Sequence, residues 1–170
     1  AHHTFQEYLA GAHLMTLCAE ADSFGLVREH IMSKPQVWRV PCVLAGDVLA
    51  DTDRRGDLWD LLDDLLDDEV AKGMAADDPR WWTVWLSSVI VQEQKLLESD
   101  KLRRSERAVC DYLQGWIVAL IDTPQALPPI ERAVCGRALS LLGDPREGVG
   151  TTKVTIDGKD VELPQSEWCD

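Results

Sequence analysis

Between residues 57 and 70 leucine and aspartate divide the chain into two faces. Leu58, Leu61, Leu62, Leu65, Leu66 and Val70 fall on one stripe at helical spacing, and Asp57, Asp60, Asp63, Asp64, Asp67 and Asp68 fall on the other. That pattern predicts an amphipathic helix with one apolar side. The same reading predicts six more. Phe5, Leu9 and Ala12, with Tyr8 and Met15 alongside, predict a helix over about 4–20. Glu7 lies in its first turn, where an acid suits the helix dipole. Its apolar residues cover much of the circumference, which predicts burial on more than one side. Asp22 or Ser23 can cap a second helix that ends before Pro35. A third covers 36–50, started or kinked by Pro41, which has no amide donor.

Asp78-Pro79 supplies a cap and a first-turn proline for the fifth helix. Its apolar set is Trp81, Trp82, Trp85, Val89, Ile90, Leu96 and Leu97. The sixth covers about 102–121, with Val109, Leu113, Trp116, Ile117 and Leu120 inward. Pro128-Pro129 opens the seventh, which ends at Leu142 with Gly143 as a left-handed cap. Glu106-Arg107-Ala108-Val109-Cys110 recurs as Glu131-Arg132-Ala133-Val134-Cys135. The recurrence is either a stacked repeat or the convergence of two amphipathic helices. Short connections between periodic segments predict a mainly α fold, a HEAT-like antiparallel array of about seven helices. After Gly150 the composition changes. Residues 152–156 and 159–163 alternate β-formers around Asp157-Gly158, which predicts a C-terminal β-hairpin.

The chain has 170 residues, 45% of them hydrophobic and 28% charged, enough for one core-bearing domain. Its net charge of −13 disfavours nucleic acid and anionic membranes as partners. No apolar run reaches transmembrane length. The five cysteines, Cys18, Cys42, Cys110, Cys135 and Cys169, include no C-x-x-C pair. Reduced thiols serving as small hydrophobes are the preferred reading over disulfides or a metal site, which points to the cytoplasm.

Candidate chemistry is thin. The aspartates of the fourth helix invite calcium, but an EF-hand loop needs a central glycine that this stretch lacks, and a solvated face is preferred. The tryptophans could form a ligand cage, yet at helical spacing they read as core. His2 and His3 are adjacent and point apart on a helix, which weakens a metal pair; His13 and His30 read as structural or exposed. Ser87, Ser88, Cys110 and Cys135 sit on apolar helices with no histidine at a neighbouring helical position, so no catalytic residue is assigned. There is no G-x-x-x-x-G-K-[ST] phosphate loop.

His2, Thr4, Phe5, Gln6, Glu7, Tyr8 and Ala10 match H-x-[ST]-F-Q-E-[FY]-x-A. This resembles the signature that closes the winged-helix module of NACHT-type STAND NTPases, signalling ATPases that include many bacterial defence proteins. Trp38 followed by Pro41 and Leu44-Ala45-Gly46 is similar to the W-x-x-[VP]-x-x-L-A-G stretch after that signature. Leu127 to Leu139, then Leu142 to Gly150, resemble the R-x-x-A/C-G-x-A-L-x-x-L-G-D-P-R-x-G-V-G segment found ahead of a formylglycine-generating-enzyme-like, C-type-lectin-fold domain. Glu167-Trp168-Cys169 resembles the lead-in to that domain.

The resemblance implies a fragment of a longer protein, starting inside a motif. Residues 1–20 would end the winged-helix module and form the first helix. Residues 21–148 would be the helical-repeat domain, and 149–170 a linker and hairpin leading onward. It further implies that His2 reaches the ADP phosphate in the intact protein, where ATP or ADP with Mg would be bound by another domain. This segment itself would be non-catalytic and hold no cofactor or metal. Its partners would be other domains of the same polypeptide and a protein ligand, with oligomerisation on activation, in cytoplasmic antiphage signalling. The alternative expectation is a free-standing acidic helical adaptor that binds a basic protein.

Overall fold

The computed structural model describes residues 3–51, 54–66, 70, 73–98, 101–146, 148–149, 151–156 and 159–164. Among the described residues seven α-helices come first: α1 (His3–Ala21), α2 (Gly25–Ser33), α3 (Pro35–Asp51), α4 (Arg55–Leu65), α5 (Trp81–Glu93), α6 (Arg104–Asp122) and α7 (Pro129–Leu142). Strands β1 (Thr151–Ile156) and β2 (Lys159–Pro164) follow.

The helices form two layers. α1, α3, α5 and α7 pack in succession, each on the next, and α2, α4 and α6 do the same. Every helix also touches its neighbour in sequence across the layers. This is the expected HEAT-like array: amphipathic helices with short connections bury their stripes against the units before and after them. The stripes themselves are as read. Leu58, Leu61, Leu62, Leu65 and Leu66 of α4 are buried, and α6 buries Val109, Leu113, Trp116, Ile117 and Leu120.

α5 is the centre. It is buried continuously from Thr83 to Val91, and Trp81 is buried as well. A helix with that little polar surface must be covered on all sides. α3, α7, α6, α4 and α2 all contact it. Trp81 meets Trp116 of α6 edge to face, with ring centroids 5.9 Å apart, and its indole N–H donates to the Ala75 carbonyl at 2.9 Å.

Small residues set the closest helix approaches. The α1–α3 packing is the most extensive in the fold. At Gly11 a Cβ would lie 2.7 Å from the Pro41 carbonyl oxygen and 3.1 Å from the Ala45 nitrogen. Pro41 does not start α3 but lies inside it, buried against α1. At Gly46 a Cβ would lie 3.3 Å from the Ile90 side chain of α5.

Several boundaries differ from expectation. α1 buries Leu14, Met15 and Cys18, but its first half is open: Phe5 is 63% exposed and Tyr8 and Leu9 are also exposed. Burial on more than one side therefore fails for that half, because α1 is the end of its layer. α4 stops at Leu65, before Val70; Asp67 and Asp68 lie outside the described residues. α5 stops at Glu93. The chain then turns through Lys95 at φ 48°, and a 3-10 turn, Leu96–Glu98, brings Leu96 into the core. Gly143 has φ 89° and ψ 133°, so its φ is positive but it is not a left-handed helical cap. Its carbonyl accepts a hydrogen bond from the Gln114 side chain at 2.6 Å.

β1 and β2 pair antiparallel, Ile156 with Lys159 and Val154 with Val161. Asp157-Gly158, the expected turn, lies outside the described residues. One face carries Val154, Ile156, Val161 and Leu163, all exposed. The other pairs Lys153 with Glu162 and Thr155 with Asp160.

Candidate functional site

A polar concavity lies where α1, α2 and α4 meet. It is a cleft of about 440 Å³, lined by Met15, Cys18, Asp22, Asp57, Asp60 and Asp63 among others. α4 builds one wall, because its leucines face the core and turn its aspartates outward. Asp64 does more than face water. One of its carboxylate oxygens accepts the Phe24 N–H at 2.7 Å and the Ser23 hydroxyl at 3.3 Å. Ser23 in turn accepts the Gly25 N–H at 3.0 Å. The start of α2 is thus capped by a residue some forty positions away, which satisfies amides that a helix leaves orphaned. Arg54 pairs with Asp57 at the rim.

This cleft can attract cations. Among the described residues, however, no group of three or more His, Cys, Asp or Glu side chains is placed to hold a metal ion. Four carboxylates at helical spacing diverge from one another more than a coordination sphere allows.

The tryptophans belong to the core. Trp81 and Trp85 are buried, and Trp82 is half-buried with its ring 5.8 Å from that of Trp85. A groove of about 780 Å³ runs past Trp82, Ala126, Leu127, Pro128 and Pro129. Arg132 borders it, but its guanidinium is committed to the end of α6. It donates to the carbonyls of Leu120 (3.2 Å), Ile121 (2.9 Å) and Thr123 (2.6 Å). The matching Arg107 of the five-residue recurrence is exposed on α6. The burial differs too, with Val109 buried in α6 and Cys135 in α7. The recurrent words therefore play different structural parts, although both start three residues after a helix N-cap.

Burial disfavours the thiolate at the four described cysteines. Cys18, Cys42, Cys110 and Cys135 are free, and burial raises the pKa of each. Cys42 is pushed up to about 12, and Cys110 and Cys135 to about 11. Thiolate chemistry needs the opposite shift. Ser88 donates to the Val84 carbonyl at 2.8 Å, whereas the fully buried Ser87 hydroxyl makes no hydrogen bond among the described residues. Both side chains are fully buried.

His2, the residue expected to reach a nucleotide phosphate, lies outside the described residues. His13 is exposed, and half-buried His30 packs edge to face on Trp38 with centroids 4.1 Å apart. The tertiary cap by Asp64 escaped sequence reading, since nothing in residues 57–68 announces a partner at Ser23. No helix of the described residues is long and apolar enough to cross a membrane. No protein family, curated protein or solved structure matches the chain.

Proposed function

We propose that this chain is a non-catalytic helical connector of a cytoplasmic NACHT-type STAND signalling ATPase. It would carry movement between a nucleotide switch before it and a sensor after it. The observation that supports this reading is a continuous packed array of helices with uncovered apolar surface on its first helix, followed by a hairpin that has an uncovered apolar face of its own. Phe5, Tyr8 and Leu9 form the first surface, and Val154, Ile156, Val161 and Leu163 form the second. Large apolar side chains left together in the open mark surfaces that other protein covers. A set of mutually packed helices moves as a body, so a partner covering Phe5, Tyr8 and Leu9 would be coupled to the far end of the array at α7. The resemblance of His2 to Ala10 to the family signature also supports this reading, in which another domain would hold ATP or ADP with Mg and His2 would reach the ADP phosphate.

Calorimetry with MgADP and MgATP tests the reading directly. The 170-residue chain should take up neither. In the intact protein, His2→Ala should shorten ADP retention and raise basal signalling. Micromolar nucleotide binding by the chain alone, or unchanged ADP retention in the variant, would sink it.

The acidic cleft favours a second reading, an adaptor for a basic protein partner. A lysine-rich peptide should then bind the chain, and Asp60→Asn with Asp63→Asn should abolish that binding. Equal binding to the doubly substituted chain would reject it.

A further inference from the structure

The hairpin is the part of the fold that its own sequence leaves unfinished. A two-stranded sheet is marginal in water, and three or more strands with a shared apolar face are needed for stability. Among the described residues the sheet is β1 and β2 alone, so each strand has an open outer edge. The exposed apolar face is built from alternate residues of both strands, Val154 and Ile156 with Val161 and Leu163.

The two edges differ in charge. β1 reads Thr151-Thr152-Lys153-Val154-Thr155-Ile156, with a single lysine and no acid. β2 reads Lys159-Asp160-Val161-Glu162-Leu163-Pro164, with two acids on its polar face. Antiparallel pairing of β2 with a second β2, in either face-matched register of greatest overlap, would set Asp160 opposite Glu162 or Glu162 opposite its own copy, which is destabilising. Pairing β1 with a second β1 brings two lysines to one polar face and offers neither an acid. The strand that complements β1 is β2. On its inner side β1 already meets it, Lys153 against Glu162, Val154 against Val161, and Thr155 donating to Asp160 at 2.8 Å. Side chains of β1 project above and below the sheet, so its outer edge presents the same two faces to an incoming strand.

We propose that the outer edge of β1 accepts β2 of a second copy of this chain, in the antiparallel register the hairpin itself uses. Each added copy brings Glu162 beside Lys153 and extends the apolar face by four side chains. The contact is head to tail, and its product still carries one open β1 and one open β2. Growth therefore continues past the dimer. The inference stands apart from the connector reading, because it needs only the two edges.

Sedimentation velocity across about 5 to 500 µM, in about 0.15 M salt where long-range repulsion is screened, tests it. The weight-average mass should at least double over that range without a plateau at the dimer. Lys153→Glu and Glu162→Lys should each abolish the rise. The double exchange, Lys153→Glu with Glu162→Lys, should restore it, because the charges again oppose. Far-UV circular dichroism keeps the helical array in view throughout. A chain that stays monomeric, a plateau at two copies, or a double exchange that fails to restore the rise while the helices stay intact overturns the proposal.

Discussion

Replacing Gly11 by alanine puts one methyl group where α1 rests on α3. Its Cβ would stand 2.7 Å from the Pro41 oxygen, 3.1 Å from the Ala45 nitrogen and 3.4 Å from the Leu44 carbonyl carbon. All three are backbone atoms, so no flexible side chain can swing aside. The helices must separate by about 0.7 Å to reach an ordinary contact, which loosens packing along the interface. Overpacking of this kind costs roughly 1–3 kcal/mol, and contact with rigid backbone alone puts this case in the upper part of that range, about 2–3 kcal/mol. Alanine returns about 1 kcal/mol of helix propensity. The net is a loss of roughly 1–2 kcal/mol, and a lowering of Tm by about 2–8 °C for a domain of this size.

Gly115 and Gly136 separate the two effects. Both lie in helices, and a Cβ at either meets nothing within 4 Å. Alanine there should raise Tm by about 2–4 °C through propensity alone. The assay is a thermal melt followed by far-UV circular dichroism, with urea unfolding for the free energies. If Gly11→Ala is as stable as the parent, or rises with the other two, then α1 does not rest on the backbone of α3 and the packing argument is wrong.

Ser87→Ala should be neutral or stabilise the chain by about 1 kcal/mol, because it removes a buried hydroxyl that makes no hydrogen bond; a clear loss in urea unfolding would mean the hydroxyl has a partner. Hydrogen bonds from Arg80 hold the Asp78 carboxyl below its usual pKa of 3.8, so its ionised form favours the native state. That contribution is complete above the unfolded pKa and is lost as pH falls through the depressed folded one. Below about pH 4 the chain should lose stability, and Asp78→Asn should flatten the acid limb; an unchanged slope would refute it. Cys42, with its pKa near 12, should react with an aromatic disulfide at pH 8 at least roughly a thousand-fold more slowly in the native chain than after denaturation. Comparable rates, read by mass spectrometry, would show that α3 opens there.

Where a helix carries one apolar stripe, sequence and structure agree residue for residue, as in α6. α1 misled because a helix that is apolar around most of its girth predicts cover without saying who provides it. Leu14 and Cys18 are covered from within the chain, and Phe5 and Leu9 are not. In α5 the apolar pattern runs on to Leu97, but a turn with a positive φ at Lys95 lets the backbone leave the helix and still deliver Leu96 to the core. Periodicity cannot register that change, since both routes bury the same leucine. The acidic cleft was legible as an acidic face, but its cap at Phe24 depends on a contact between distant segments.

The burial of α5 also bears on the order in which the chain is made. Its cover is assembled from both sides, and the later part, α6 and α7, is completed only at Leu142. A ribosome adding roughly 5–20 residues each second needs about 3–10 s to get there from Glu93. During that interval Trp81, Trp85, Leu86 and Ile90 are screened by α2, α3 and α4 alone. The nascent chain thus offers a temporary apolar stretch of the sort that chaperones hold. Slow synthesis between residues 94 and 142 would lengthen that exposure and lower the yield of folded protein without any change in the finished molecule.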